Sequence, residues 1–193
     1  MTIDEMKALL KENIPGKRYK HSLAVYETAL KMAEVFQCDK EKVAIAALLH
    51  DCGREIATKD SVAWALDHGF TVDEIEAAQP ILLHSKIGTY FAKNKYGVDD
   101  EEIMDAIRYH TTGSSNMTDL AKIVFLADII EPDRDYPGVE DLRKASFKNL
   151  DKAMLLAYAS TTTYLFEQGL LIHPECIKGY NELVLLTKKS RLE

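Results

Sequence analysis

The strongest constraint on the fold is the spacing of apolar residues, which recur every three to four positions in nearly every segment. In the second such segment they form one stripe, made of Tyr19, Leu23, Tyr26, Leu30 and Ala33. This period places the side chains on one face of an α-helix. Strand-like alternation is scarce, and no Asn-Gly or Asp-Gly pair marks a hairpin. The sequence therefore predicts an all-α fold.

Glycine and proline residues divide the chain into these helices. Pro15 and Gly16 separate the first two helices, and the stretch EPDRDYPG, residues 131–138, is the clearest loop. Glycines that follow a periodic run are typical of helix C-termini, and five do so here: Gly53, Gly69, Gly97, Gly113 and Gly169. No linker or repeat interrupts residues 1–193, so we expect a single domain. The predicted helices are 3–13, 17–37, 39–51, 59–68, 72–78, 80–96, 100–111, 117–130, 139–148, 150–168 and 174–190.

Composition excludes several classes of protein. The net charge of −7 argues against a protein that binds nucleic acid through a broad basic face. The longest apolar run, residues 43–49, is too short to cross a bilayer, and the N-terminus lacks the pattern of a signal peptide. The three cysteines are widely spaced and form no CxxC motif, which is typical of reduced thiols. We therefore expect a cytoplasmic protein without a membrane or nucleic-acid partner.

Several ionisable residues lie in or beside apolar helical segments. The run VAIAALL, residues 43–49, leads directly into His50 and Asp51, Asp128 interrupts IVFLADII, and His84 follows three aliphatic residues. A buried carboxylate without a partner is unfavourable, so it must be paired, protonated or bound to a metal. Carboxylate and neutral imidazole ligands suit iron, manganese, zinc or cobalt. A metal site would explain all of these positions at once.

Two further histidines have related settings. His21 lies near the start of the second helix, and His110 ends the run IMDAIRYH before a Thr-Thr-Gly turn. Any single histidine of this kind is usually an ordinary core or surface residue, and Asp128 alone could be a buried cap partner. His68 comes just before a glycine, where the dipole at a helix C-terminus favours a cation. His173 comes just before a proline, as a loop residue at a helix start does. We therefore place both outside the site. The joint pattern of the others favours a metal site.

The order of these residues resembles that of a known superfamily. His21, then His50 and Asp51, then Asp128 resemble the ligands of the HD superfamily of helical metal-dependent phosphohydrolases, and His84 and His110 resemble its two-metal subset. The resemblance is closer still to the YqeK family of symmetrical diadenosine tetraphosphate hydrolases, over nearly the whole chain. The matching segments are RYKHS (18–22), LLHDCGRE (48–55), LLHSKIGTY (82–90), DAIRYHTTG (105–113), LADIIEPDR (126–134) and YPGVEDLRK (136–144).

The resemblance implies two transition-metal ions, with iron the foremost candidate and manganese or cobalt as substitutes. It assigns His21, His50 and Asp128 to one ion and His84 and His110 to the other. Asp51 is the natural bridge because a carboxylate has two oxygens. Two metals roughly 3.5–4 Å apart can share a hydroxide and clamp a phosphoryl group for in-line attack. The chain departs from the family pattern at Arg54, commonly Lys, and at Ser85-Lys86, often Ala-Pro.

Phosphate contacts are expected from residues beside the ligand motifs. Arg18, Arg54 and Arg134 each adjoin such a motif, and the guanidinium fork matches phosphate oxygens. The hydroxyl and backbone N–H groups of Thr111, Thr112 and Gly113 are further candidates. Asp51 and Arg54 are the residues expected to act in catalysis. The alternatives are that the arginines are solvated surface residues and that the Thr-Thr-Gly segment is a plain helix-ending turn.

The resemblance thus implies an enzyme that hydrolyses diadenosine tetraphosphate, or a related dinucleoside tetraphosphate, to two nucleoside diphosphates. ADP or GDP would bind as product, and the chain would be a monomer or a homodimer. One alternative is an HD phosphohydrolase that acts on a deoxynucleotide, a cyclic nucleotide or a guanosine alarmone. Another is a metal-containing nucleotide sensor without turnover.

Overall fold

The computed structural model of the protein describes residues 1–189, and within this range it contains α-helices and 3-10 helices but no strand. This confirms the all-α prediction. The 3-10 helices are Cys52–Glu55, Thr58–Asp60 and Pro80–Leu82. The α-helices are α1 (Ile3–Asn13), α2 (Gly16–Phe36), α3 (Lys40–Leu49), α4 (Ser61–Asp67), α5 (Glu74–Ala78), α6 (Leu83–Asn94), α7 (Glu101–Tyr109), α8 (Asp119–Ile130), α9 (Val139–Ser146), α10 (Leu150–Glu167) and α11 (Pro174–Lys189).

The predicted helices differ from the observed ones mainly at their ends. The helix predicted over 39–51 ends at Leu49, so His50 is its C-cap and Asp51 leads into a 3-10 helix. The helices predicted to begin at residues 59 and 80 both open with a 3-10 helix. Apolar spacing does not separate a 3-10 turn from an α-turn over so few residues. Gly53, predicted to end a helix, lies inside a 3-10 helix, and residue 190 of the last predicted helix lies outside the described residues.

Side-chain caps fix the first turns of three of the helices that carry the ionisable residues, α3, α7 and α8. Asp39 accepts hydrogen bonds from two backbone N–H groups at the start of α3, and Asp100 does the same at the start of α7. Thr118 caps α8 through the N–H of Ala121. Such caps typically stabilise a helix by about 1 kcal/mol. They therefore help to set where each of these helices begins.

The core is centred on helices α2, α3, α7 and α8, which pack against one another. The apolar runs in α3 and α8 are buried almost throughout, as their all-round apolar character predicts. A smaller apolar cluster of Ala65, Leu83 and Ile87 joins α4 to α6. No helix of the described chain combines the length and apolar character that a bilayer crossing requires.

The segment after α3 lies very close to α6 at Gly53. A Cβ atom at this position would lie 2.0 Å from the carbonyl oxygen of His84 and 2.6 Å from the backbone nitrogen of Gly88. The neighbouring thiol of Cys52 donates to the carbonyl of Gly88 over 3.3 Å. The contact brings the backbone beside Asp51 against the first turn of α6, where His84 lies. Only glycine allows this approach.

Substitution of Gly53 by alanine is expected to destabilise the protein, because backbone atoms of α6 leave no room for the added methyl group. Overpacking of this kind costs about 1–3 kcal/mol of unfolding free energy, measurable by urea denaturation. Gly16→Ala is the matched control, because nothing lies within 4 Å of a Cβ there and the residue has no strained backbone angle. Equal stabilities of the two variants would contradict the close-packing argument.

Candidate metal centre

The structure brings the predicted ligand residues together where several helices converge. His21 lies in α2, His50 caps α3, and Asp51 follows it. His84 is in the first turn of α6, and His110 caps α7. Asp128 lies in the last turn of α8. Within this cluster three groups have ligand atoms no more than 4.8 Å apart: His21, His50 and Asp51; His50, His110 and Asp128; and Asp51, His84 and His110.

Asp51 lies between the two sets of histidines, as a bridging ligand would. Its Oδ1 atom is 3.2 Å from Nε2 of His84 and 3.8 Å from Nε2 of His110. Its other oxygen, Oδ2, is 4.0 Å from Nε2 of His50. On the far side, Nε2 of His21 lies 2.9 Å from Oδ1 of Asp128. The two oxygens of Asp51 therefore face different histidines.

Three of the histidines hold their rings in the same way. The Nδ1 atoms of His50, His84 and His110 each face the backbone carbonyl three residues earlier, at 2.7 Å for His50 and 2.8 Å for His110. A carbonyl can only accept, so each Nδ1 carries the hydrogen, and Nε2 is the nitrogen that can present a lone pair to the centre. Backbone partners of this kind orient histidine ligands in metal sites.

The Nε2 atoms are poorly paired with protein groups, which fits a metal. Those of His84 and His110 are only 2.9 Å apart, a distance at which two Nε2 lone pairs would repel each other unless a cation lay beside them. The buried Nε2 atom of His50 has no hydrogen-bond partner among the described residues. A cation among the rings would accept these lone pairs, and imidazole with carboxylate is a donor set that suits divalent transition metals. The residues present therefore fit a metal centre.

The protonation states of four of these six side chains also match a metal centre. Burial lowers the pKa of His50 and that of His110 to about 4, so both rings are neutral near pH 7. Burial works to raise the pKa of Asp51, but the contacts of this carboxylate with His84 and Arg54 outweigh it and hold that pKa well below the usual range. In the same way, contact with His21 outweighs burial and lowers the pKa of Asp128. Neutral imidazoles and ionised carboxylates are the forms that bind metal.

The three predicted arginines border the centre. Arg18 and Arg54 each contact a different oxygen of Asp51, at 3.2 Å and 3.1 Å. Arg134 donates to the side chain of Asp128 at 2.6 Å and to its backbone carbonyl at 2.8 Å. The side chains of Arg18 and Arg134 are about 40% and 37% exposed, so their guanidinium groups reach solvent at the mouth of the site.

The three residues of the Thr-Thr-Gly turn differ in whether they contact the centre. The hydroxyl of Thr111 lies 3.1 Å from Nε2 of both His84 and His110. The hydroxyl of Thr112 donates instead to the carbonyl of Gly113, and the N–H of Gly113 donates to the carbonyl of Tyr109. Of the three residues, Thr111 is therefore the one whose hydroxyl faces the ligand cluster.

The other two histidines lie outside this cluster. His68 stacks on Trp64 with ring centroids 3.7 Å apart, and its Nδ1 faces the carbonyl of that residue. His173 lies 3.3 Å from Asp73, in a separate group with Glu76. That group has an exposed carboxylate and no further feature that points to a ligand.

Sequence reasoning missed Glu131, a buried carboxylate that contacts the centre. Its Oε1 lies 3.1 Å from Nδ1 of His21, and the residue is only 3% exposed. The residue follows the apolar run of α8 directly, where a carboxylate resembles an ordinary surface residue at a helix end. Its position in the segment ADIIEPDR, between Asp128 and Arg134, is the sequence feature that could have identified it.

Comparison with known proteins agrees with this geometry. The HD domain family matches residues 18–133, which include all six ligand-type residues of the cluster. The structure is also similar to a crystal structure from Clostridium acetobutylicum, described as a predicted HD superfamily hydrolase involved in NAD metabolism. The TM-score is 0.91 at 36% sequence identity, over 95% of this chain and 97% of that one. Fold and site thus define an HD-domain protein.

Relatives with curated names narrow the family further. The symmetrical bis(5'-nucleosyl)-tetraphosphatase of Halalkalibacterium halodurans is 35% identical over 180 residues, 93% of this chain and 96% of the relative. The protein of the same name from Bacillus subtilis is also 35% identical, over 95% of this chain and 98% of the relative. The chain therefore belongs to the HD-domain family of symmetrical bis(5'-nucleosyl)-tetraphosphatases.

Substitution of Asp51 by alanine is expected to abolish metal binding, because this carboxylate contacts both sets of histidines. His84→Ala removes a ligand from one set only and should lose mainly one ion. Dialysis against Mn²⁺ followed by elemental analysis measures both outcomes. His68→Ala is the control and should bind as much metal as the wild type. Equal metal loss in the Asp51 and His84 variants would mean that Asp51 is not a bridge.

Proposed function

We propose that this chain hydrolyses diadenosine tetraphosphate, and dinucleoside tetraphosphates of the same kind, to two nucleoside diphosphates. The observation that carries the proposal is the convergence of four histidines and two aspartates on one point. The proteins named symmetrical bis(5'-nucleosyl)-tetraphosphatase, similar over nearly the whole chain, support it. ADP or GDP would bind at the same site as product.

The centre would hold two divalent ions. His21, His50 and Asp128 would bind one, His84 and His110 the other, and Asp51 would bridge them. Iron is the ion we propose, with manganese or cobalt able to substitute, because imidazole and carboxylate ligands without a thiolate suit these metals. When bound, such a pair supplies Lewis-acid stabilisation of a phosphoryl group and lowers the pKa of coordinated water.

The arginines would neutralise and orient the phosphates. Arg54 is mostly buried and lies against Asp51, close to where the reacting phosphoryl group must sit, so we give it the catalytic role of stabilising developing charge. Arg18 and Arg134 lie farther out and are partly exposed, which suits them to the flanking phosphates. The hydroxyl of Thr111 can donate to a phosphate oxygen beside His84 and His110.

Cavities beside the centre have room for nucleoside groups. One of about 830 Å³ is lined by Arg134, Tyr136 and Tyr164, among others. Another of about 160 Å³ is lined by Thr111, Thr112 and Phe125, among others. Aromatic walls beside cationic and hydroxyl groups are typical of sites that bind the base and phosphates of a nucleotide. A diphosphate held by these groups would place its second phosphorus at the ions.

Product identification is the experiment that tests this function. Attack at the second phosphorus from a bound nucleoside releases the other half as a diphosphate, so diadenosine tetraphosphate should yield ADP alone. Chromatography of partial digests made with Fe²⁺, Mn²⁺ or Co²⁺ would show it. Substantial ATP plus AMP would overturn the symmetrical assignment. No hydrolysis with any of these metals would favour a different nucleotide substrate or a sensor without turnover.

Substitution of Arg134 by alanine should weaken catalysis through loss of a phosphate contact. A charge-assisted hydrogen bond contributes about 1.5–3 kcal/mol, so kcat/KM should fall by about one to two decades while the metal content stays unchanged. Lys144→Ala is the control, because this cation is exposed on α9 and pairs only weakly with Asp141. An unchanged kcat/KM in the Arg134 variant would remove this residue from the proposed phosphate site.

The chain's single-domain organisation, its cytoplasmic location, its monomeric or homodimeric state and its lack of nucleic-acid and membrane partners stay predictions from the sequence.

A further inference from the structure

His21 differs from the other histidines of the centre in the partner of its Nδ1 atom. The rings of His50, His84 and His110 are held by backbone carbonyls three residues earlier. Those residues lie at or near helix ends, whereas His21 lies inside α2. The Nδ1 atom of His21 instead faces the carboxylate of Glu131, from the far end of α8, at 3.1 Å.

The carboxylate of Glu131 is itself firmly held. One oxygen, Oε1, faces His21, and the other, Oε2, accepts a hydrogen bond from the backbone N–H of Asp133 at 2.6 Å. The backbone carbonyl of Glu131 accepts from the guanidinium of Arg143 at 2.9 Å. The side chain is nearly inaccessible to solvent. Both oxygens therefore have defined partners, and the position of the group is set by the loop that follows α8.

This arrangement determines which nitrogen of His21 can bind a metal ion at the centre. An ionised carboxylate only accepts hydrogen bonds, so Nδ1 must carry the hydrogen. With the hydrogen on Nδ1, Nε2 is the nitrogen left to bind an ion, and it lies 2.9 Å from Oδ1 of Asp128. The negative charge behind the ring also makes Nε2 a stronger electron donor than a carbonyl partner would.

We propose that Glu131 is the positioning residue of the metal centre: it fixes the tautomer and orientation of His21 and strengthens that histidine as a ligand. The inference rests on the metal centre under the proposed function and adds to it a residue that touches neither ion nor substrate. Glu131 acts through His21, so its effect must disappear when His21 is absent.

The test is a double-mutant cycle on metal affinity. Glu131→Gln keeps the size of the side chain but removes its charge. Each carboxylate oxygen of Glu131 now faces a donor, and the N–H₂ group of glutamine cannot accept a hydrogen bond in place of one of these oxygens. Loss of such a partner typically weakens metal binding about 10–100-fold, so Mn²⁺ titration should show this loss at one ion. The visible absorption of the Co²⁺ form should change as well, because the His21 ligand is altered.

The same substitution in a His21→Ala background should weaken Mn²⁺ binding no further. Glu76→Gln is the matched control, because Glu76 is also a buried glutamate, paired with Lys86 away from the centre. It should leave Mn²⁺ affinity unchanged even where it lowers stability.

Wild-type Mn²⁺ affinity and an unchanged Co²⁺ spectrum in Glu131→Gln would overturn the inference and leave the metal centre standing. An equal loss of affinity with and without His21 would also overturn it, since Glu131 would then act through the fold. A wild-type chain that binds no Mn²⁺ would overturn the metal centre itself, and this inference with it.

Discussion

Asp51 and Asp128 place two negative charges beside the helical core, and the side chains around them compensate these charges. An ionised carboxylate is stable in such surroundings only with positive or hydrogen-bonding partners. Asp51 is almost inaccessible to solvent, yet its pKa is lowered because its contacts with His84 and Arg54 outweigh the effect of burial. The histidines and arginines around these carboxylates thus form one electrostatic unit.

The helices contribute side chains to this unit mainly from their ends. His50 and His110 cap α3 and α7, and His84 lies in the first turn of α6. At these positions a ring can reach the carbonyl three residues back, which holds it without a second side chain. His21 lacks this position and needs a carboxylate from another helix. Helix boundaries, more than helix faces, therefore decide how each ligand is held.

The sequence predicted which histidines and aspartates could form a metal site, but not the residues that hold them in place. An ionisable residue inside an apolar run stands out in a sequence, which is why His50, Asp51 and Asp128 could be found. Gly53 was assigned to a helix end and Glu131 was given no role, because both make their main contacts with residues remote along the chain. The predicted helices needed correction mainly where 3-10 turns join them. Thr111 faces the cluster, whereas the N–H of Gly113 is used within its own turn. This difference depends on local hydrogen bonds, which the spacing of residues does not predict.

The charge balance of the centre explains how an acidic chain can bind a polyphosphate. The chain as a whole carries −7, which would repel such a ligand at long range in dilute salt. At the centre, two divalent ions would carry more positive charge than Asp51 and Asp128 carry negative charge. Arg18, Arg54 and Arg134 border the same point and add to that surplus. Recognition would therefore depend on local charge within a few ångströms of the ions, and the remaining acidic surface would favour release of the charged products.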